Sequence, residues 1–160
     1  MMNTLVIYDS EYGNTQQIAQ AIAEAFKEHG SVQLMAATEA STPSLQGIDL
    51  LVIGGPTQAH GLSPTLRTLL DKLPDQLLHG LPVASFDTRF RMAAVISGSA
   101  GRAIAHKLER EKAKLLVPAK SFFVAGREGP LEEGELENAT RWVKTIMERY
   151  QAYRHQHATT

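Results

Sequence analysis

Short runs of β-branched and aliphatic residues alternate along the chain with longer stretches in which apolar residues recur every three or four positions, the pattern of strands interleaved with helices. Thr4-Leu5-Val6-Ile7-Tyr8 ends in polar and glycine-rich residues from Asp9 to Asn14, which predicts a buried first strand. From Thr15, the residues Ile18, Ala21, Ile22, Ala25 and Phe26 share one helical face, and the segment closes at His29-Gly30. Val32 to Ala36 predicts a second strand, and Ile48 to Ile53 a third that runs into Gly54-Gly55-Pro56-Thr57. The polar connection through Ser41-Thr42-Pro43-Ser44 fits a loop or a short helix. Leu66, Leu69, Leu70 and Leu73 form the next stripe, stopped by Pro74, and Pro82 to Phe86 is the fourth strand. Between Asp87 and Ser97, the apolar run Met92 to Ile96 fits a strand extension, a packed loop or a dimer face.

Ser97-Gly98-Ser99 opens a half-exposed helix carrying Ile104 and Leu108. Leu115 to Val117 and Ser121 to Ala125 are two parts of a fifth strand interrupted at Pro118. Leu136, Ala139, Val143, Ile146, Met147 and Tyr150 define the last helix, with Trp142 and Tyr150 as packing residues. The expected domain is 1–150, followed by a polar, frayed tail over 151–160. Strands that are nearly continuous in apolar character and alternate with helices predict a three-layer, doubly wound α/β fold, its five-stranded parallel sheet covered on both faces. In such sheets ligands bind at the carboxyl ends of the strands, which directs attention to the loops beginning at Asp9, Gly54 and Asp87.

The length of 160 residues with 43% apolar content suits one domain. Sixteen Lys plus Arg against 17 Asp plus Glu leave a formal charge of −1, so bulk charge would not hold the chain on nucleic acid or on an anionic membrane. The absence of cysteine excludes thiolate metal sites, iron–sulfur clusters and thiol nucleophiles. Apolar stretches such as Ile48 to Gly55 fall far short of the roughly 20 residues of a membrane span, and the start of the chain lacks the features of a secretory signal. The expected location is the cytoplasm.

Ser10-Glu11-Tyr12-Gly13-Asn14-Thr15 joins the first strand to a helix amino terminus, where backbone amides, the helix dipole and the hydroxyls of Ser10 and Thr15 would meet an anion. The loop contains no Lys or Arg, no Gly-Lys-Ser/Thr ending and no glycine triplet. A single phosphate held by neutral donors fits it, as does an ordinary capped helix. Other motifs lead nowhere. Ser97-Gly98-Ser99-Ala100-Gly101 lacks the first glycine of a nucleophile elbow, Gly54-Gly55 stands where a receiver domain needs its phosphoacceptor aspartate, and His155 and His157 make no metal site.

The loop from Ser10 to Thr15, in its place after the first strand, resembles the phosphate-binding signature of flavodoxins. Gly54-Gly55-Pro56-Thr57-Gln58-Ala59-His60-Gly61 is similar to the flavodoxin loop that packs against the isoalloxazine ring, and the likeness in organisation spans Thr4 to Tyr150. The resemblance implies the flavodoxin-like fold, strand order 2-1-3-4-5, and flavin mononucleotide (FMN) as cofactor. It implies that Ser10, Gly13, Asn14 and Thr15 hold the phosphate, with Glu11 beside them and Tyr12 adding a hydroxyl or packing contact. Pro56, Thr57, Gln58, Ala59, His60 and Gly61 would shape the ring site, and Asp87, Thr88, Arg89 and Phe90 would close its other side. With Gly129-Pro130-Leu131 and Glu135-Leu136-Glu137 before the last helix, the chain looks like a shorter subgroup of flavodoxin domain proteins.

Two departures bear on function. Electron-transfer flavodoxins stack the ring between aromatic side chains, whereas here only His60 and Phe90 occupy positions that could stack. Flavodoxins are also strongly acidic, and this chain is nearly neutral. Arg89 at the ring's pyrimidine edge would stabilise the anionic reduced ring and raise its potential; a salt bridge to Asp87 or to a neighbouring acid is the alternative. The resemblance implies an electron carrier between a reductase and an acceptor, acting as monomer or homodimer. A small NAD(P)H:quinone-type reductase and an interaction module that has lost useful flavin affinity are the alternatives.

Overall fold

The structure of the protein, a computed structural model, describes residues 1–58, 61–91 and 98–158. Expectations placed on Ala59, His60, the run 92–96 and Ser97 lie outside the described residues. The strands are β1 (Met2–Tyr8), β2 (Gly30–Ala36), β3 (Leu50–Pro56), β4 (Pro82–Phe90), β5 (Lys114–Leu115) and β6 (Lys120–Val124). The helices are α1 (Asn14–Phe26), α2 (Pro64–Lys72), α3 (Asp75–Leu78), α4 (Ala100–Arg110) and α5 (Glu135–His157), with short 3-10 turns at Lys27–His29 and Thr42–Leu45. All strand pairs are parallel, in the order β2-β1-β3-β4-β5, and β6 pairs with β4. β5 meets Pro82 and Val83, and β6 meets Phe86 to Phe90, so the two are successive pieces of one strand position interrupted around Pro118, as the sequence predicts.

The continuous apolar runs follow from burial on both sheet faces. Along β3, Leu50 and Val52 join the core beneath α1 and α5, while Leu51 and Ile53 join the core beneath α2 and α4. The first core is closed by Phe86, Phe122 and Trp142, whose rings meet edge to face at centroid distances of 6.0 Å. Such pairs add about 0.5–1.5 kcal/mol each to the area they bury.

Several boundaries differ from the sequence reading, and those at the ends of β3 and β4 bear on the site. β3 continues through Gly54 and Gly55, paired with Phe86 and Asp87 of β4, and both positions are closely packed: a Cβ at Gly54 would lie 2.2 Å from the Phe86 ring and one at Gly55 would lie 2.2 Å from Leu66 Cδ1. These glycines are sheet positions that admit one large side chain on each face, and the loop starts only after Pro56. β4 runs to Phe90 instead of ending at Phe86, sustained by β6 across Asp87 to Phe90. The last helix does not fray after Tyr150 but continues to His157, with Tyr153 donating its hydroxyl hydrogen to the Gly80 carbonyl at 3.0 Å. Among the described residues, no helix is long and apolar enough to cross a membrane.

Candidate functional site at the carboxyl edge of the sheet

The loops after β1, β3, β4 and β6 converge on a cavity of about 420 Å³. The first loop contributes Ser10, Glu11, Tyr12, Asn14 and Thr15, and the second contributes Pro56, Thr57 and Gln58. The end of β4 contributes Thr88, Arg89 and Phe90, and the β6 end adds Val124 and Arg127. The volume lies in the range of small-molecule and cofactor pockets, roughly 300–1,000 Å³.

α1 begins at Asn14 after Gly13, which stands at φ 92. The Gly13 amide donates to Ser10 Oγ at 3.0 Å, the Gln16 amide donates to the same oxygen at 3.4 Å, and the Gln17 amide closes the first helical turn on the Gly13 carbonyl. The amides of Asn14 and Thr15 remain as donors of the first turn without an intrahelical partner. Buried Thr15 shares a 2.8 Å hydroxyl bond with Thr88. After one hydroxyl donates to the other, one hydrogen of the pair remains for a further acceptor. Asn14 donates from Nδ2 to the Glu128 carbonyl at 3.1 Å, and a Cβ at Gly129 would lie 2.6 Å from Asn14 Oδ1. The segment after β6 therefore lies directly on the first turn of α1.

In the second loop Gln58 and Gly61 exchange backbone hydrogen bonds at 2.9 and 2.8 Å. Gln58 Nε2 donates to Glu11 at 2.9 Å and ties this loop to the first. The Ala100 amide donates to Thr57 Oγ1 at 3.0 Å, which fastens the same loop to α4. The aromatic faces of the cavity come from Tyr12 and Phe90, which are 42% and 43% exposed. Tyr12 thus joins the aromatic side chains the sequence singled out as able to flank a planar ligand.

Asp87 does not line the cavity. Successive side chains of a strand point to opposite faces, so once β4 extends to Phe90, Thr88 and Phe90 face the α1 layer and Asp87 faces α4. Fully buried, Asp87 accepts through Oδ2 from the Ser99 hydroxyl at 2.5 Å and from the Gly101 amide at 2.9 Å. Ser99 Oγ in turn accepts from the Arg102 amide at 3.2 Å. α4 therefore has its leading amides occupied by Thr57, Asp87 and Ser99, and a carboxylate already sits at its positive end. α2 is closed in the same manner, with Ser63 donating to Asp9 at 2.5 Å and accepting from the Leu66 amide at 3.2 Å. Of these three helix starts, α1 is the one that presents open amides to the cavity.

Arg89 realises the salt-bridge alternative. Its Nε lies 3.8 Å from Asp87 Oδ1 and donates to Ser121 Oγ at 2.8 Å, and its guanidinium lies 5.2 Å from the centroid of the Phe123 ring. Its charge is balanced by a buried carboxylate, although its side chain contributes to the cavity wall. Gly13 and Gly61 are not among the lining residues, and Ala59 and His60 lie outside the described residues. Sequence reasoning missed Val124 and Arg127. Their proximity to Asn14 follows from β6 pairing with β4, and no local signal marks it.

The sequence matches the flavodoxin domain family over residues 5–117. A flavodoxin from Picosynechococcus sp. is 34% identical over 82 residues, covering 51% of this chain and 48% of that protein, so the match spans about half the length of the curated relative. Among solved structures, a flavodoxin from the domain Archaea superposes with a TM-score of 0.80 at 20% identity, covering 94% of this chain and 99% of that one. Rubredoxin oxygen:oxidoreductase from Desulfovibrio gigas superposes with a TM-score of 0.76 at 18% identity, covering 94% of this chain but 36% of that larger protein. These structural likenesses establish a shared fold, and the family match over 5–117 carries the assignment further: the chain belongs to the flavodoxin domain family.

Proposed function

We propose that the protein binds FMN at the carboxyl edge of its sheet and carries electrons between a reductase and an acceptor protein. The observation that supports this reading best is the juxtaposition of open Asn14 and Thr15 amides with exposed Tyr12 and Phe90 around one cavity, donors for a phosphate beside faces for a planar ring. Bound there, FMN would supply the redox-active ring, and the protein would supply position and electrostatics. Ser10 keeps its hydroxyl hydrogen to donate, since its oxygen accepts from Gly13 and Gln16. The hydrogen left over in the Thr15–Thr88 pair adds a second neutral donor. Pro56, Thr57 and Gln58 form the opposing wall, held in register by the Glu11 and Ala100 bonds.

The exposure of Tyr12 and Phe90 also leaves the ring site within reach of a small oxidant, which supports a quinone-type reductase as the second reading. Titration of apoprotein into FMN, followed by flavin fluorescence, tests the shared claim: saturable quenching is expected. Absence of binding at accessible concentrations rejects both redox readings in favour of an interaction module. Steady-state reduction of a quinone by a nicotinamide cofactor then separates enzyme from carrier, turnover without a partner protein favouring the enzyme.

A further inference from the structure

We propose that Arg127 is the counter-charge for the phosphate group of the flavin, an inference that rests on the FMN reading above. A phosphate monoester carries about −1.5 to −2 charge near neutral pH, whereas a helix amino terminus supplies the equivalent of about +0.5. The loop from Ser10 to Thr15 contains no basic residue to make up the difference. The cation comes from the far end of the chain.

Arg127 sits in a turn fixed by the Gly129 amide on the Gly126 carbonyl at 3.0 Å and by the Ala125 amide on the Pro130 carbonyl at 2.8 Å. The turn is seated on α1 through Asn14 Nδ2, which donates to the Glu128 carbonyl at 3.1 Å across a separation of 114 residues. At Gly129, where φ is +110, an added Cβ would lie 2.6 Å from Asn14 Oδ1 and displace the amide side chain that seats the turn. Arg127 lines the same cavity as Ser10, Asn14 and Thr15.

The other charges around the cavity are committed elsewhere. Arg89 is engaged by Asp87 and Ser121, and Arg91 pairs with Glu132 at 3.1 Å. Glu11, the acid on the cavity wall, accepts from Gln58. Among the described residues, no ion pair or hydrogen bond engages the Arg127 guanidinium, whose planar fork suits two phosphate oxygens.

Comparing FMN with riboflavin isolates the phosphate. Wild-type, Arg127→Gln and Arg127→Lys apoproteins would be titrated with each flavin at low and high salt, with circular dichroism as the folding control. Arg127→Gln is expected to weaken FMN binding about 10- to 100-fold. Riboflavin binding stays unchanged, Arg127→Lys recovers part of the loss, and the salt dependence of FMN binding flattens in Arg127→Gln. Unchanged FMN affinity, or an equal loss for both flavins, overturns the assignment. A wild-type protein that binds FMN no better than riboflavin overturns it as well. A wild-type protein that binds neither rejects the FMN reading itself, and the inference with it.

Discussion

Ser99 donates its hydroxyl hydrogen to the fully buried carboxylate of Asp87 at 2.5 Å, a contact that fastens the start of α4 to β4 beside the cavity. Asp87 also takes the Gly101 amide, while Ser99 takes the Arg102 amide, so a single acid organises the first turn of a helix. Asp87→Ala leaves these buried donors without an acceptor, at a cost of about 2–4 kcal/mol. Urea denaturation measures it, and a loss below about 0.5 kcal/mol would show that water replaces the carboxylate without penalty.

Gly54 and Phe86 are packed so closely that one added methyl group collides with the ring. Gly54→Ala is expected to destabilise by about 1–3 kcal/mol through overpacking. Combined with Phe86→Leu, which vacates part of that space, the double variant should lose less than the sum of the single losses. Strict additivity in a thermal or urea series would place the strain elsewhere.

Tyr12 and Phe90 reach solvent, so their removal should cost little stability and mainly affinity. Each truncation to Ala is predicted to weaken FMN binding by about 2- to 10-fold, the size of one aromatic contact. Wild-type affinity in both variants, measured by fluorescence titration, would remove stacking from the account of the site.

Glu111 lies beside Asp75, and the hydrogen bond between the two acids raises the Glu111 carboxyl above its ordinary value, with desolvation and the Asp75 charge acting in the same direction. Lys107 and Arg110 oppose the shift. A raised value in the folded state means the fold holds this proton more tightly than the unfolded chain does. The favourable contribution is therefore complete below the ordinary carboxylate value and is lost as pH rises through the raised one. Glu111→Gln should accordingly be more stable than wild type near pH 7, the advantage fading as pH falls below the ordinary carboxylate range. A constant difference across that window would contradict the shared proton.

The boundaries show where local pattern suffices. Val6, Val52 and Ile53 occupy runs whose composition alone marks buried parallel strands, and Ile18, Ile22 and Phe26 repeat at a helix period that only one face can bury. The split fifth strand was legible because Pro118 interrupts an otherwise apolar stretch. A polar residue after Phe86 reads locally as the start of a loop, and pairing with β6 carries the strand on through Asp87, whose carboxylate meets Ser99 and Gly101 at the start of α4. Once the strand is known to continue, its two-residue alternation separates Asp87 from Thr88.

By itself, the sequence determined the alternation of strands and helices, the parallel sheet and the glycine- and hydroxyl-rich turn at the head of α1, because each is written in residues adjacent along the chain. Tertiary structure decided which helix start stays open and which of the two cavity arginines, Arg89 and Arg127, is paired with a carboxylate. Those outcomes depend on contacts such as Asn14 with Glu128, 114 residues apart, and Thr15 with Thr88, 73 apart. Hydrogen bonds and charges act through distance in space, and that distance exists only after the sheet has brought its strand ends together.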